Sequence, residues 1–442
     1  MRIGLIAMSG IRACDEELLR LGLTLPGFVE RSKTIASLPS LGLLTLAGMT
    51  PAEHTCHYLE IDDIRKLDAL PEPFDLVAIS SFSAQMAEGY ELADRYRAIG
   101  IPVVLGGLHV TALPEEAARH ADAVVVGEGE SVWPEILDDA ATGRLKLLYR
   151  GDGRFDLADA PMPAFHLLDL KKYNRLTVQA SRGCPLHCEF CASSILLTSR
   201  YKQKPVGRVL AEIDRICELW RRPFLEFADD NAFVNKGYWK ELLLELKTRP
   251  VRWFAETDLS VHEDEELLAL LRESGCAEVL IGLESPTETA LVGLELKSDW
   301  KWKRWRQYRE AVRRIQSQGI RVNGCFVVGL DEHTPEVFDE VYEFAVETEL
   351  FDVQITLPTP FPGTPFYQRL LSDGRLLYDG AWQRCTLFDI NFQPKRMSVE
   401  ELRKGFHRLA TRLYSDESTH WRREAFNRKY LRGTVHSREV HS

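Results

Sequence analysis

Short apolar runs alternate with amphipathic stretches through the first third of the chain. The stretches between the apolar strand candidates predict helices or helix starts, including LGLLTLAGM at 41–49, AEGYELADRYRAIG at 87–100 and PEEAARH at 114–120. Five apolar runs predict β-strands: RIGLIAM at 2–8, HTCHYLEI at 54–61, LVAISSF at 76–82, IPVVLGG at 101–107 and AVVVGEG at 123–129. This alternation predicts a doubly wound parallel sheet, which binds ligands at the carboxyl ends of its strands.

A second series of strands and helices begins at Leu176, after a loosely patterned stretch with prolines at 161 and 163. Amphipathic segments such as VGRVLAEIDRICELW at 206–220 separate its strands. The predicted strands are LTVQASRG at 176–183, PFLEFADD at 223–230, RWFAETD at 252–258, EVLIGLES at 278–285, RVNGCFVVG at 321–329 and DVQITLPTPF at 352–361. Six strand–helix units predict a partial (β/α)6 barrel of the TIM type, with its chemistry at the strands' carboxyl ends.

The chain from about residue 371 onward is charged and predicted to be largely helical. Ser398 and Glu401 there have the spacing of a capping box at a helix start. The chain is therefore predicted to be an α/β protein with a helical tail. The predicted boundaries are a sheet domain at 1–148, a linker at 149–171, a barrel at 172–370 and a C-terminal helical region at 371–442.

Composition and charge restrict the partners. The 55 Lys and Arg residues against 66 Asp and Glu residues give a net charge of −11, which disfavours nucleic acid as a partner. The segment 297–319 does interleave basic residues with tryptophans, but an amphipathic barrel helix explains it better than an RNA-binding stretch. Nine cysteines are an odd number and predict a reducing compartment, the cytoplasm. No apolar run reaches the length of a membrane span, so no membrane partner is expected.

The most specific motif is SRGCPLHCEFC, which follows the first barrel strand. Its cysteines, Cys184, Cys188 and Cys191, have C-x3-C-x2-C spacing. Three thiolates on one short loop can ligate three irons of a [4Fe–4S] cluster and leave the fourth iron open to a chelating ligand. Phe190 is placed to wall off such a cluster or to stack on a base. A zinc site with His187 as fourth ligand is the alternative, although zinc ligands are seldom confined to one such loop.

These residues resemble the radical S-adenosylmethionine superfamily, over about residues 172–368. The resemblance implies that S-adenosylmethionine binds the open iron and yields a 5′-deoxyadenosyl radical, with an electron donor such as flavodoxin or ferredoxin. It also implies that Asp229 and Asp230 make polar contacts to cofactor or substrate, and that Glu284 in LIGLES reaches the ribose hydroxyls. Phe190 is carried over as a further cofactor contact.

The N-terminal segments SLPSLGLLTLAGMTPAEH at 37–54, GGLHVTALPEEA at 106–117 and VVVGEGES at 124–131 resemble the Rossmann-like cobalamin-binding domain that precedes many such barrels. The resemblance covers about residues 1–140. It implies cobalamin contacts from Ser37, Ser80, Ser83, Gly106, Gly107, His109, Thr111, Gly127 and Glu128. No D-x-H-x-x-G string occurs there, so we expect cobalt without a histidine ligand from below; loss of cobalamin is the alternative.

Together these resemblances imply a cobalamin-dependent radical S-adenosylmethionine enzyme. The expected reaction is methyl transfer to a carbon or phosphorus atom of a small-molecule substrate, by way of a 5′-deoxyadenosyl radical and methylcobalamin. The alternatives are a cyclisation or rearrangement with the same cofactors, an RNA modification and a non-catalytic cobalamin-binding role. The substrate cannot be read from the chain, because pocket shape depends on side chains that a single sequence does not place.

Overall fold

The computed structural model describes residues 1–21, 38–71, 73–196 and 200–431. Its first part is a six-stranded parallel sheet in the order β2-β1-β3-β4-β5-β6. The strands are β1 Arg2–Met8, β2 Thr55–Ile61, β3 Leu76–Ser80, β4 Val103–Gly106, β5 Ala123–Val126 and β6 Leu148–Arg150. The helices are α1 Glu16–Leu21, α2 Leu41–Met49, α3 Met86–Ala98, α4 Leu108–Ala112, α5 Pro114–Ala117 and α6 Trp133–Ala141.

Apolar side chains on both faces hold this sheet between its helices. Ile3 and Leu5 of β1 belong to the core under α2 and α6, whereas Ile6 and Met8 belong to the core under α3. Strands buried on both faces are nearly continuous in apolar residues, and this is why five of them are recognisable in the sequence. The sixth, β6, escaped prediction because three residues with one buried side chain show no periodicity.

The second part is an open parallel barrel in the order β7-β10-β11-β12-β13-β14, with a small antiparallel pair β8-β9 beside it. The strands are β7 Leu176–Val178, β8 Ser181–Arg182, β9 Lys202–Gln203, β10 Phe224–Ala232, β11 Arg252–Thr257, β12 Cys276–Glu284, β13 Arg321–Val327 and β14 Asp352–Thr356. The helices are α7 Ala192–Leu196, α8 Val206–Leu219, α9 Lys236–Leu246, α10 Glu265–Glu273, α11 Trp300–Arg304, α12 Tyr308–Ser317, α13 Val337–Glu347 and α14 Pro365–Ser372. The predicted partial barrel is confirmed.

The basic tryptophan segment folds onto the barrel as α11, a short turn and α12. Trp305 donates from Nε1 to the Pro286 carbonyl at 2.6 Å, and Tyr308 is buried in the barrel core. Trp302 remains partly exposed. The segment is therefore an amphipathic packing element, as its spacing indicated.

Two long helices, α15 Val399–Tyr414 and α16 Asp416–Phe426, close the described part of the chain. Ser398 and Glu401 form the predicted capping box at the start of α15. Gly405 lets this helix approach α13, because a Cβ at that position would lie 1.9 Å from the Phe338 ring. Among the helices described, none is both apolar and long enough to cross a bilayer.

Candidate active site

The cysteine loop leaves the barrel at the carboxyl end of its first strands and leads into α7. Backbone hydrogen bonds fix its shape: Cys191 donates to the Cys188 carbonyl at 3.0 Å, and Glu189 donates to the Leu294 carbonyl at 3.0 Å. Cys188 also pairs with Glu295 as an isolated antiparallel bridge. The Glu295 carboxylate accepts from the His187 backbone N–H at 3.1 Å. The segment after β12 therefore anchors the loop from outside.

Burial determines the protonation state of two thiols in the cysteine loop. Burial raises the pKa of Cys184 to about 11 and that of Cys188 to about 12. Both thiols are protonated at neutral pH and must release their protons when they ligate a metal. Asn231 at the end of β10 lies within reach of the first thiol, with 3.6 Å between Nδ2 and Cys184 Sγ. A neutral amide beside this sulfur can donate to a thiolate once it forms.

Glu284 ends β12 in a left-handed backbone conformation, with φ of 62°. Its Oε1 lies 2.6 Å from Nζ of Lys301, and the same ammonium donates to the Gly282 carbonyl at 2.7 Å. Burial lowers the pKa of Lys301, but the charge of Glu284 and its hydrogen bond outweigh it and the net shift is upward. Lys301 and Glu284 therefore form a buried salt bridge at the barrel mouth, where backbone strain is typical of functional residues.

His333 holds the turn that follows Glu284. Its Nδ1 accepts from the backbone N–H groups of Gly329 and Leu330 at 3.1 and 3.2 Å, and its Nε2 lies 2.8 Å from Ser285 Oγ. Burial lowers the pKa of His333 to about 3, so the ring is neutral and Nε2–H donates to the serine. This imidazole therefore joins the ends of β12 and β13 directly after Glu284.

The neighbouring aspartates of β10 have different surroundings. Asp229 is buried and accepts from the Ala180 backbone N–H at 3.0 Å and from the Ser181 hydroxyl, so it braces the start of the cysteine loop. Burial raises its pKa to about 7. Asp230 accepts from the Gly183 backbone N–H at 2.7 Å and from the Ser193 hydroxyl. Asp230, unlike its neighbour, also lines a cavity.

This cavity of about 340 Å³ lies between the carboxyl edge of the N-terminal sheet and the barrel mouth. Six of the predicted cofactor contacts line it: Ser80, Gly106, Gly107, Gly127, Glu128 and Asp230. Gly107 has φ of 109°, and a Cβ there would lie 3.2 Å from the Ser80 hydroxyl oxygen. Gly107 is therefore required by its backbone conformation and by the close serine. The glycines that line this edge place backbone directly on the cavity, which suits close approach of a large ligand.

Glu128 has a second role. Its side chain is only 2% exposed, and the carboxylate accepts from Arg182 Nη1 at 3.0 Å and from Lys202 Nζ at 2.8 Å. Arg182 also donates to Glu130 at 2.7 Å. These ion pairs join the sheet edge to β8 and β9 of the barrel, and Arg182 lies two positions before Cys184. The sheet edge and the cysteine loop are therefore held in a fixed position relative to each other.

The remaining predicted contacts lie elsewhere. Ser83 and His109 line a second cavity, and the Thr111 hydroxyl accepts from the Gly127 backbone N–H at 3.0 Å. Phe190 is half-buried against the barrel core. Ser37 lies outside the described residues. The structure therefore brings together part of the predicted cobalamin set, and the ligand roles of all these residues stay predictions.

Family models match three parts of the chain: the B12 binding domain at residues 34–137, the Radical SAM superfamily at 178–345 and a domain of unknown function (DUF4070) at 364–439. A relative from Synechocystis sp., described as an uncharacterized methyltransferase, is 30% identical over 387 residues. The match covers 85% of this chain and 71% of the relative. The chain belongs to the cobalamin-dependent radical S-adenosylmethionine enzymes.

Other comparisons agree with this assignment. Bacteriochlorophyllide d C-12(1)-methyltransferase from Chlorobaculum tepidum is 29% identical over 362 residues, which cover 80% of this chain and 78% of that protein. The structure of the radical S-adenosylmethionine methyltransferase TsrM from Kitasatospora setae, with cobalamin and a [4Fe–4S] cluster bound, is similar with a TM-score of 0.67. That match covers 98% of this chain and 99% of TsrM at 15% identity, and shows that the fold is shared.

The enzyme's cofactors are a [4Fe–4S] cluster, S-adenosylmethionine and cobalamin, and the site residues fit them. The thiols of Cys184, Cys188 and Cys191 form the donor set that an iron–sulfur cluster requires. Within the described ranges, no three His, Cys, Asp or Glu side chains converge to hold one metal ion.

Several site residues escaped the sequence-based predictions. Arg182 lies inside the SRGCPLHCEFC motif, but neither it nor Asn231, Lys301 or His333 was assigned a role. Each of the four contacts a partner that is distant in the sequence. Lys301 gave one usable signal, because it is the basic residue of α11 that falls on the buried side of that helix. The others became visible only when the fold placed their strand ends side by side.

Proposed function

We propose that this enzyme methylates an unactivated carbon atom, or a phosphorus centre, of a small-molecule substrate. The proposal rests on one observation: the cavity at the cobalamin-type sheet edge is also lined by Ser193 and Asp230, which belong to the cluster side of the barrel. Two cofactors that face one space can act on one substrate without releasing an intermediate. The methyltransferase described from Chlorobaculum tepidum supports this reaction class.

When bound, the cluster and S-adenosylmethionine supply a 5′-deoxyadenosyl radical, and cobalamin supplies the methyl group. We propose Cys184, Cys188 and Cys191 as the cluster ligands. Glu284 would accept hydrogen bonds from the ribose hydroxyls, since Lys301 holds one of its carboxylate oxygens and so orients the group. The protein otherwise positions and encloses the reactants.

The two aspartates of β10 would differ in their roles. Asp230 lines the shared cavity and is available to a polar group of cofactor or substrate. Asp229 is enclosed by hydrogen bonds to Ala180 and Ser181, so we assign it to positioning the loop that carries the cysteines. The contacts proposed for the sheet edge come chiefly from Ser80, Gly106, Gly107 and Gly127, where little side chain separates ligand from backbone.

The test uses the cluster-reconstituted, cobalamin-loaded enzyme with S-adenosylmethionine that carries a deuterated methyl group. Dithionite replaces the proposed electron donor, flavodoxin or ferredoxin, and a small-molecule extract of the source cells supplies the substrate. We expect 5′-deoxyadenosine together with a product that gains the deuterated methyl. Cys188→Ala should abolish both, whereas Cys217→Ala in α8, remote from the loop, should retain them.

A different product would redirect the assignment. If 5′-deoxyadenosine forms with a cyclised or rearranged product that contains no deuterium, the enzyme is a cyclase or rearrangement enzyme with the same cofactors. If neither 5′-deoxyadenosine nor label transfer depends on Cys188, the radical reaction itself is contradicted. Salt-sensitive transfer of label to RNA would instead indicate an RNA-modifying enzyme.

A further inference from the structure

The inside of the barrel contains accessible space beneath its mouth. On five neighbouring strands, an inward-facing residue at or near the carboxyl end is at least partly exposed. The residues next to them in the chain point outward and belong to the core under the helices, for example Val178, Phe227, Ala255, Ile281 and Phe326. The five inward-facing residues are Gln179, Ala228, Glu256, Gly282 and Cys325.

Buried side chains close this space from beneath. On four of the five strands, the inward-facing residue two positions earlier is at most 8% exposed: Thr177, Phe254, Leu280 and Asn323. Towards the mouth the space remains open, since Gln179 and Ala228 also line the cavity at the sheet edge. We refer to the space between the buried side chains and the mouth as the barrel lumen.

Glu256 places a carboxyl group in this lumen. Its side chain is exposed, yet burial by the surrounding protein raises its pKa to about 7, and the charges of Glu226 and Asp230 add to the shift. No hydrogen bond and no positive charge from the described residues lowers it. A carboxyl group that is both accessible and surrounded by protein faces an internal space rather than bulk solvent.

Two other glutamates that face the lumen each have a cation of their own. Glu226 Oε2 lies 2.5 Å from Arg175 Nε, and Glu284 Oε1 lies 2.6 Å from Lys301 Nζ. Glu256 has no such partner among the described residues. A charged group enclosed without a partner is costly, so the group that neutralises Glu256 is expected to be a ligand.

The position of Glu256 relates it to both sides of the candidate active site. Its strand, β11, runs between β10, which carries Asp230, and β12, which ends at Glu284. Ala228 lies beside Glu256, because the residues before them are in register. A molecule that enters the lumen from the shared cavity therefore meets Glu256. The contacts proposed for S-adenosylmethionine are the open iron and Glu284, which leaves Glu256 to the substrate.

The charge around Glu256 selects the kind of ligand. A second carboxylate or a phosphate would add to the repulsion from Glu226 and Asp230, whereas a cation relieves it. A protonated nitrogen also donates a charge-assisted hydrogen bond to a carboxylate, and such bonds are about twice as strong as those between neutral groups. An ammonium or guanidinium group is therefore the partner that fits.

We propose that Glu256 binds a cationic nitrogen, an ammonium or guanidinium group, of the substrate. The inference rests on the proposed function, because it takes the molecule in the lumen to be the one that is methylated. It assigns the substrate to small molecules that carry a positive charge at the end that enters the barrel first. Glu256 thereby becomes a specificity-determining residue.

The experiment measures binding of benzylamine and benzyl alcohol by anaerobic titration calorimetry. The holoenzyme carries its cluster and cobalamin, is saturated with S-adenosylmethionine and receives no reductant. The two probes have nearly the same shape, but only benzylamine is a cation between pH 6 and 8. At pH 8 we expect benzylamine to bind at least about tenfold more tightly than benzyl alcohol.

The pH dependence gives a second measurement. A carboxyl group with a pKa of about 7 is ionised to about one-tenth at pH 6 and to about nine-tenths at pH 8. Only the ionised form attracts the ammonium group, so benzylamine affinity should be up to about ninefold lower at pH 6. The affinity of benzyl alcohol should change much less.

Three variants separate Glu256 from other groups that titrate in this range. Glu256→Gln, which has nearly the same shape, should remove both the preference for benzylamine and its pH dependence. Glu256→Asp retains a carboxylate and should keep part of both. Glu245→Gln is the matched control, because it removes the same charge from the exposed side of α9, and it should behave as the wild type.

Equal binding of the two probes at pH 8, or a preference that survives Glu256→Gln, would overturn the proposal. Loss of the cluster or of S-adenosylmethionine affinity in Glu256→Gln would also overturn it, since Glu256 would then support a cofactor. These measurements need no turnover. A preserved preference without methyl transfer would therefore contradict the proposed function alone, and methyl transfer without the preference would contradict this inference alone.

Discussion

The barrel mouth and the sheet edge, which face the shared cavity, differ in the groups that form them. At the barrel mouth, specific side chains hold one another: Asp229 binds Ser181, Lys301 binds Glu284, and His333 binds Ser285. At the sheet edge, glycines and a serine leave the backbone open, with Gly106 and Gly107 at the end of β4. A cluster needs particular donor atoms, so its site leaves a motif; a large cofactor needs mainly space and backbone, so its site leaves a pattern of small residues.

The largest effect should come from breaking the barrel side alone. Cys188→Ala removes one of three thiolates, and we expect the brown chromophore to disappear and 5′-deoxyadenosine formation to fall to background. Cobalamin content should remain near that of the wild type, since the sheet edge is intact. Absorbance spectra measure the brown chromophore and the cobalamin content, and product chromatography measures 5′-deoxyadenosine. Parallel loss of cobalamin would show that the two edges do not load independently.

The next effect concerns the buried salt bridge between Lys301 and Glu284. Lys301→Met leaves the Glu284 carboxylate buried without its cation, which we expect to lower the free energy of unfolding by about 3–5 kcal/mol. Denaturant titration of the anaerobic protein measures it. Lys297→Met is the matched control, because the exposed ammonium of this lysine, in the same segment, lies 2.9 Å from His187 Nε2, and its bond to Glu295 comes from the backbone N–H, which the substitution keeps. Equal losses of unfolding free energy in the two variants would show that the buried salt bridge adds no more stability than the exposed lysine.

The sheet edge is tested by adding a side chain where the backbone is open. Gly106→Leu meets only ordinary contact at Cβ, with Val125 at 3.6 Å, so the added bulk enters the cavity rather than the core. Overpacking costs about 1–3 kcal/mol, so we expect cobalamin affinity to fall about 10- to 100-fold while the cluster is retained. Gly207→Leu, at the start of α8 in open space, is the control. Unchanged affinity would remove Gly106 from the cobalamin contacts.

The smallest effect is an acid dependence at the rim of the barrel. Burial raises the pKa of Asp331, but hydrogen bonds and charges from Arg375, Lys395 and Arg369 outweigh it and lower the pKa from 3.8 to about 2. A depressed folded pKa stabilises the protein above pH 3.8, and this contribution is lost as pH falls from 3.8 towards 2. Asp331→Asn should therefore reduce the melting temperature slightly at neutral pH and flatten its decline in that acid range. An unchanged slope would contradict the assignment.

The same contrast explains how much could be predicted from the sequence. The buried strands, the capping box at Ser398 and the three cysteines each show a local pattern of spacing or periodicity, and all were found. Asn231 lies 47 positions from Cys184, and Arg182 lies 54 positions from Glu128, so their contacts exist only through the fold. His109 was predicted from a resemblance as a cobalamin contact, but its cavity depends on helix α7 and the segment 385–387, which no local pattern brings together.

The ion pairs of Arg182 restrict how the two halves of the enzyme can move. This arginine lies two residues before Cys184, and its guanidinium is held by Glu128 and Glu130. A rotation that separated Glu128 and Glu130 from Arg182 would break these ion pairs and pull on the backbone that leads into Cys184. Substrate and product must then enter and leave through movements of peripheral segments. The sheet domain and the barrel keep their relative position during turnover.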